Sequence, residues 1–336
     1  MTAFPTVAAF KTTLATLPEA DRQARAAAAR RQGQLTKPPG SLGRLEDIAI
    51  FLAGWQGIER PRIERGRAVI FAGNHGVVAR GVSAFPAEVT AQMVANFAAG
   101  GAAINALAAA AGLDLSVVPL DLDRPTIDFT TGPAMSVEEC LAALSAGAAA
   151  VGDADLLVLG EMGIGNTTPA AALAAASFGG APADWIGPGT GVDAQGLSRK
   201  EGAVADGLAL HRDHLTSAFE ILRRLGGREI AAMAGAVLAA RTKGVPVILD
   251  GFIGTAAVAP LAMTNPAITD HVLAGHCSAE PGHIRLLDRL GLRPILSLDM
   301  RLGEGSGAAV AVQVIRSAIA AHDGMATFAE AGVATA

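Results

Sequence analysis

The sequence predicts an α/β fold, a doubly wound, mainly parallel six-stranded sheet with a small helical domain from the chain ends. Three observations point there. Six short runs, apolar on both faces, recur along the chain, and glycine or a polar turn follows each. That is the pattern of strands covered by helices on both sides, not of strands with one wet face. Alanine-rich stretches of helical length separate the runs, and the first sixty residues contain no such run at all.

In chain order, Ala8–Leu17 and Glu19–Gln32 read as helices, Lys37–Leu42 (KPPGSL) as a turn and Arg44–Gln56 as a third helix. The strands are Ala68–Ala72 (AVIFA), Leu115–Leu120 (LSVVPL), Asp155–Leu159 (DLLVL), Pro246–Leu249 (PVIL), His271–Ala274 (HVLA) and Pro294–Leu298 (PILSL). Helices fill Ala87–Ala111, Ser136–Val151, Pro169–Ser177, Gly196–His211, Ser217–Leu225, Glu229–Arg241, Pro281–Leu290 and Ser306–Ala321. Residues 1–60 plus 308–336 are expected to form the small helical domain, and residues 61–307 the large α/β domain with the cleft.

Composition excludes several functions. Net charge is −5, only four lysines occur (Lys11, Lys37, Lys200, Lys243) and no basic run exceeds Arg30-Arg31, so no phosphate-neutralising face for nucleic acid is expected. Aromatics are 4% with no tyrosine, which removes base-stacking platforms. The 51% apolar content is largely alanine. The uncharged stretches Met93–Gly112, Met162–Ala183 and Gly251–Thr269 are interrupted by Asn, Thr, Pro or Gly, and no membrane span is expected. Cys140 and Cys277 stand too far apart for a zinc knuckle or a disulfide framework, and no secretory signal opens the chain; a cytoplasmic protein is expected.

Ligands of open parallel sheets bind beyond the carboxyl ends of the strands. Five glycine-bearing loops converge there: Gly73–Val89, Gly160–Leu173, Asp250–Pro260, Gly275–His283 and Arg301–Gly307. GEMGIGNTTP has the features of an anion site, with Gly163 and Gly165 admitting close backbone approach and Asn166 and Thr167 leading into a helix. Simple helix capping explains the same residues. No Gly-Lys-Ser/Thr follows, so it is not a Walker loop. GPGTGVD, with Gly189 and Gly191, precedes Lys200, a scarce lysine suited to a phosphate. Neither cluster has the Gly-x-Gly-x-x-Gly spacing after the first strand, which argues against a dinucleotide-dependent dehydrogenase. The seven histidines lack metal-ligand spacing, and His75 in GNHG is the one expected to reach a ligand. Glu304, among Gly303, Gly305 and Gly307, is the odd residue, because a glycine turn meant for phosphate would not carry a carboxylate.

Together the stretches KPPGSLGRLE, FAGNHGV, GVSAFPAEVTAQMVANF, GEMGIGNTTPAAAL, GPGTGVD, LDGFIGTAA, GHCSAEPGH and LDMRLGEGSGAA resemble, in order and over nearly the whole chain, the nicotinate-nucleotide–dimethylbenzimidazole phosphoribosyltransferase family. The resemblance implies a Rossmann-like large domain, a homodimer and no metal or other cofactor. It implies phosphoribosyl transfer from nicotinate mononucleotide to 5,6-dimethylbenzimidazole, with Glu304 as general base and Glu161 as a second carboxylate of the site. Ser83, Phe85, Gln92, Met93 and Leu302 then fall on the azole side. Gly163, Gly165, Asn166, Thr167, Gly189, Gly191, Lys200 and Ser278 fall on the nucleotide side. Cys277 departs from the family's pattern, where a polar residue such as glutamine is expected. A nucleotide- or phosphate-binding protein without catalysis is the alternative, and Glu304 separates the two, because binding alone does not require it.

Overall fold

The computed structural model describes residues 2–189 and 191–334. Thr190, within GPGTGVD, and the terminal residues 1, 335 and 336 lie outside them. The helices α1 (Val7–Ala15), α2 (Arg22–Gln34) and α3 (Arg44–Gln56) precede the first strand, β1 (Gly66–Ala72). Then come α4 (Glu88–Ala99), α5 (Ala103–Ala111), β2 (Asp114–Pro119), α6 (Val137–Ala150), β3 (Leu156–Met162), α7 (Thr167–Phe178) and α8 (Ala194–His211). The chain continues through α9 (Ala218–Leu225), α10 (Arg228–Lys243), β4 (Val247–Leu249), α11 (Phe252–Thr264), β5 (Val272–Ala274), α12 (Pro281–Leu290), α13 (Ser306–Gly324) and α14 (Phe328–Ala331).

The sheet is parallel throughout, in the order β2-β1-β3-β4-β5. Successive side chains of a strand point to opposite faces, and both faces of β1, β3 and β4 are buried. Val69, Phe71, Leu157, Leu159, Val247 and Leu249 join one core with α6, α7, α9, α10 and α11. Ala68, Ile70, Leu156, Val158 and Ile248 join the other, with α3, α5 and α13. That two-sided burial is why the strands read as unbroken apolar runs.

The chain ends meet. Leu35 bridges Thr327, and the Arg31 Nε donates to the His322 carbonyl at 2.8 Å. Helix α1, by contrast, packs on the first core, with the Phe10 ring 6.0 Å from that of Phe219 on α9.

Three expected elements differ. Pro294–Leu298 is not a sixth strand but a segment joined to the end of β5 by one isolated bridge, His276 to Leu296, and by Ile295 and Leu296 N–H groups donating to the Ala274 and Gly275 carbonyls. Proline offers no N–H at its start, and Asp299 at φ +55 turns the chain out of the sheet. The run Ala87–Ala111, long and apolar enough by composition to cross a membrane, breaks at Gly100 with φ +80 into α4 and α5. Neither piece approaches the roughly 30 Å of a hydrocarbon core at about 1.5 Å per residue. Most of Asp250–Pro260, read as loop, forms α11, with Pro260 inside it. Buried against α7, α10 and α12, α11 shows no amphipathic period from which to read it.

Candidate active site

A cavity of about 400 Å³ opens at the carboxyl ends of β3 and β4, walled by the loops after β1, β3, β4 and β5 and by residues 301–304. Its centre is a backbone feature. Gly303, Glu304 and Gly305 all have positive φ, at +85, +63 and +87. A side chain at φ +63 is strained, and such strain persists only where the surroundings impose it. Two neighbours do. Gly160 on β3 lies beneath the turn, where a Cβ would come within 2.5 Å of the Glu304 carbonyl group. Asp250, one residue past β4, accepts hydrogen bonds from Gly305 N–H at 3.1 Å and Ala308 N–H at 2.9 Å. Gly305, the N-cap of α13, has no side chain to do this, so a carboxylate from a distant strand end caps the helix. His276 Nε2 stands 3.4 Å from the same carboxylate. An asparagine at position 250 keeps one acceptor oxygen in place of two. Asp250→Asn is therefore expected to lower stability by about 1–3 kcal/mol, read as a reduced urea midpoint with unchanged m value.

Glu304 is buried on the cavity wall, and its Oε2 has no hydrogen-bond partner among the described residues. Burial raises its pKa above the ordinary carboxylate range; the Ile104 amide on α5 opposes this, and the Asp250 charge adds to it. Glu161, at the end of β3, keeps some accessible surface while protein surrounds its carboxyl group. Desolvation, then the Glu229 charge, push its pKa up to about 8 against the opposing hydrogen bond from Asn166. Burial and the neighbouring carboxylates thus favour the protonated form of Glu161.

The nucleotide-side residues gather at one end. Lys200 on α8 is buried, and its Nζ donates to Thr167 Oγ1 at 3.0 Å and to the Gly187 carbonyl at 2.9 Å. Burial lowers its pKa, with the Glu280 charge opposing. Glu280 accepts from Gly189 N–H at 2.8 Å, and Arg301 Nη1 donates to the Gly189 carbonyl at 3.3 Å. Gly163, Gly165, Asn166, Thr167, Gly189 and Ser278 line the same cavity. Asn166, the N-cap of α7, turns its side chain to Glu161 and caps nothing. The opposite wall is apolar: Val82, Val89, Met93 and Leu302, with Ser83 and Phe85 beside them.

Three expected residues lie outside the cavity. Gln92 is exposed on α4 outside the cavity, because Val89 and Met93, four apart, share the inward face. Gly191 is exposed and also outside it. His75 is buried behind the site, with Nε2 2.6 Å from Glu229 Oε1, and does not line the cavity. Conversely, Asp250, His276, Glu280 and Arg301 line the cavity without having been singled out from the sequence. Among the described residues no cluster of three His, Cys, Asp or Glu side chains is arranged to hold a metal ion.

Comparison with known proteins gives one answer. The family model DBI_PRT, described as phosphoribosyltransferase, matches residues 17–333. A nicotinate-nucleotide–dimethylbenzimidazole phosphoribosyltransferase of Novosphingobium aromaticivorans is 69% identical over 99% of both chains. The protein of that name from Ruegeria pomeroyi is 63% identical over 97% of both. The crystal structure of CobT from Thermus thermophilus superposes with TM-score 0.88 at 45% identity, covering 94% of this chain and 100% of that one. With the match spanning almost every residue, the chain belongs to the nicotinate-nucleotide–dimethylbenzimidazole phosphoribosyltransferase family.

Proposed function

We propose that the cleft moves the phosphoribosyl group of nicotinate mononucleotide onto 5,6-dimethylbenzimidazole, giving α-ribazole 5′-phosphate and nicotinate for the lower ligand of cobalamin, with Glu304 as the general base. One observation carries the reading: a buried carboxylate with an oxygen unpartnered among the described residues lies on the wall of a cavity that is apolar on one side and holds a buried lysine at one end. Capping α13 does not account for Glu304, because Asp250 already does that.

The chemistry suits these groups. As the C1′–N bond of the donor breaks, its electron pair returns to the pyridinium ring, and nicotinate leaves without needing a proton. The azole's ring nitrogen supplies the new bond to C1′ and its ring becomes cationic. Glu304 takes the proton from the azole's other nitrogen and restores neutrality. Its raised pKa brings its basicity closer to that of the azole N–H it must deprotonate. Glu161, protonated, donates a hydrogen bond to a ribose oxygen and adds no second charge beside Glu304. Lys200, Ser278 and the Gly163–Thr167 loop take the 5′-phosphate and ribose, while Ser83, Phe85, Met93 and Leu302 flank the flat azole.

On the same footing, α2, α3 and α13 form the small helical unit of residues 1–60 plus 308–336, and residues 61–307 carry the cleft. The working species is a homodimer, supported by the exposed apolar side chains Phe85 and Leu302 on the cavity wall. A cytoplasmic location fits two free cysteines. Incubation with nicotinate mononucleotide and 5,6-dimethylbenzimidazole is expected to release nicotinate and α-ribazole 5′-phosphate in equal amounts. Absence of nicotinate release with any azole would sink the proposal.

A further inference from the structure

The loop after β5 is gripped from two sides. Cys277 N–H donates to the Leu296 carbonyl at 2.8 Å, and Ala279 N–H to the Met300 carbonyl at 3.1 Å. Ser278, between them, turns the other way and donates its N–H to Nδ1 of His283 at 3.0 Å. His283 lies in the first turn of α12, is fully buried and does not line the cavity. Its Nε2 stands 3.0 Å from Thr255 Oγ1 on α11. The Thr255 hydroxyl gives its own proton to the Gly251 carbonyl at 2.8 Å, so Nε2 carries the ring hydrogen and donates it. Both nitrogens thus have fixed roles in a neutral imidazole. Burial, then neighbouring His276, hold the pKa down at about 3, which keeps that form at ordinary pH. The hydroxyl of Ser278, on the cavity wall, accepts from Glu280 N–H at 3.3 Å and keeps its own proton free to donate.

We infer that His283 is a positioning residue for the donor end of the cleft: by fixing the Ser278 amide it aims the Ser278 hydroxyl at the phosphate of the nucleotide donor. The inference rests on the reading of that end as the donor's. An apolar side chain could fill the space of His283, but it would leave the Ser278 amide without an acceptor in a buried site.

Two substitutions separate positioning from packing. Asparagine at position 283 places an amide oxygen near the place of Nδ1 and keeps the Ser278 contact. Glutamine places an amide nitrogen near the place of Nε2 and keeps only the Thr255 contact. His283→Gln is expected to raise KM for nicotinate mononucleotide about tenfold with KM for the azole unchanged. His283→Asn is expected to stay within about twofold of the parent for both. Equal rises in donor KM for the two variants overturn the inference, as does a parental donor KM in His283→Gln when Ser278→Ala raises it. A parental donor KM in Ser278→Ala overturns the donor-end reading and the inference with it. In the unaltered chain, hydrogen exchange of the Ser278 amide is expected to be slowed by on the order of 10²-fold relative to free loop amides. Exchange at the free rate overturns the inference whatever the variants do.

Discussion

Replacing Glu304 with glutamine is expected to slow single-turnover nicotinate release by roughly 10²–10⁴-fold, the range typical of a lost general base. Glutamine keeps the shape of the side chain and the backbone turn, but it cannot accept the azole proton. The pH dependence should identify the group. Glu304 works deprotonated, and burial raises its pKa. In the parent protein the rate therefore falls as pH drops through that raised value, above the ordinary range of a glutamate. The acid limb is expected to vanish in Glu304→Gln. Stability moves the other way. A carboxyl group whose pKa is raised by folding binds its proton more tightly in the folded chain, so it costs stability once pH exceeds its unfolded pKa. At pH 7 the glutamine variant is thus expected to melt no lower than the parent. A fully active variant with the acid limb intact would remove Glu304 from the mechanism.

Lys200→Met is expected to raise KM for nicotinate mononucleotide by roughly 10- to 100-fold, the value of a charge-assisted hydrogen bond of about 1.5–3 kcal/mol. The ammonium group has three protons, and two are accounted for by Thr167 Oγ1 and the Gly187 carbonyl. The third is available to a phosphate oxygen. Because the group is buried, water does little to screen that interaction. Methionine matches the length of the stem and removes only the charge and its donors, so KM for the azole should stay near the parental value. Steady-state kinetics with each substrate varied in turn separates the two constants. An unchanged donor KM would place the phosphate elsewhere.

The fold was legible where local chemistry and tertiary setting agree. AVIFA and DLLVL are apolar on both faces because both faces are buried, and both are strands. PILSL has similar composition but ends in exposed residues, and exposure is a property of neighbours that a five-residue run does not contain. Helix α11 failed in the opposite way, since its glycines and proline suggested a loop while burial on all sides erased any period. The cleft was legible in its glycine loops and in Glu304. Asp250 was not, because its role as a cap for Gly305 and Ala308 spans 55 and 58 residues of sequence. His75 looked like a ligand-facing residue at a strand end, but its partner, Glu229, lies 154 residues away. Gln92 sat one position from Met93, and a single helical step of about 100° moved it out of the cavity.

The torsion at position 304 has an evolutionary corollary. Any residue other than glycine at φ +63 weakens the folded chain, by about 1 kcal/mol or more. Mutation to glycine would relieve the turn and yield a sturdier molecule. Lineages selected only for thermal endurance would therefore tend to discard the carboxylate, and its presence here marks a place where this chain gave up robustness to keep a reactive group.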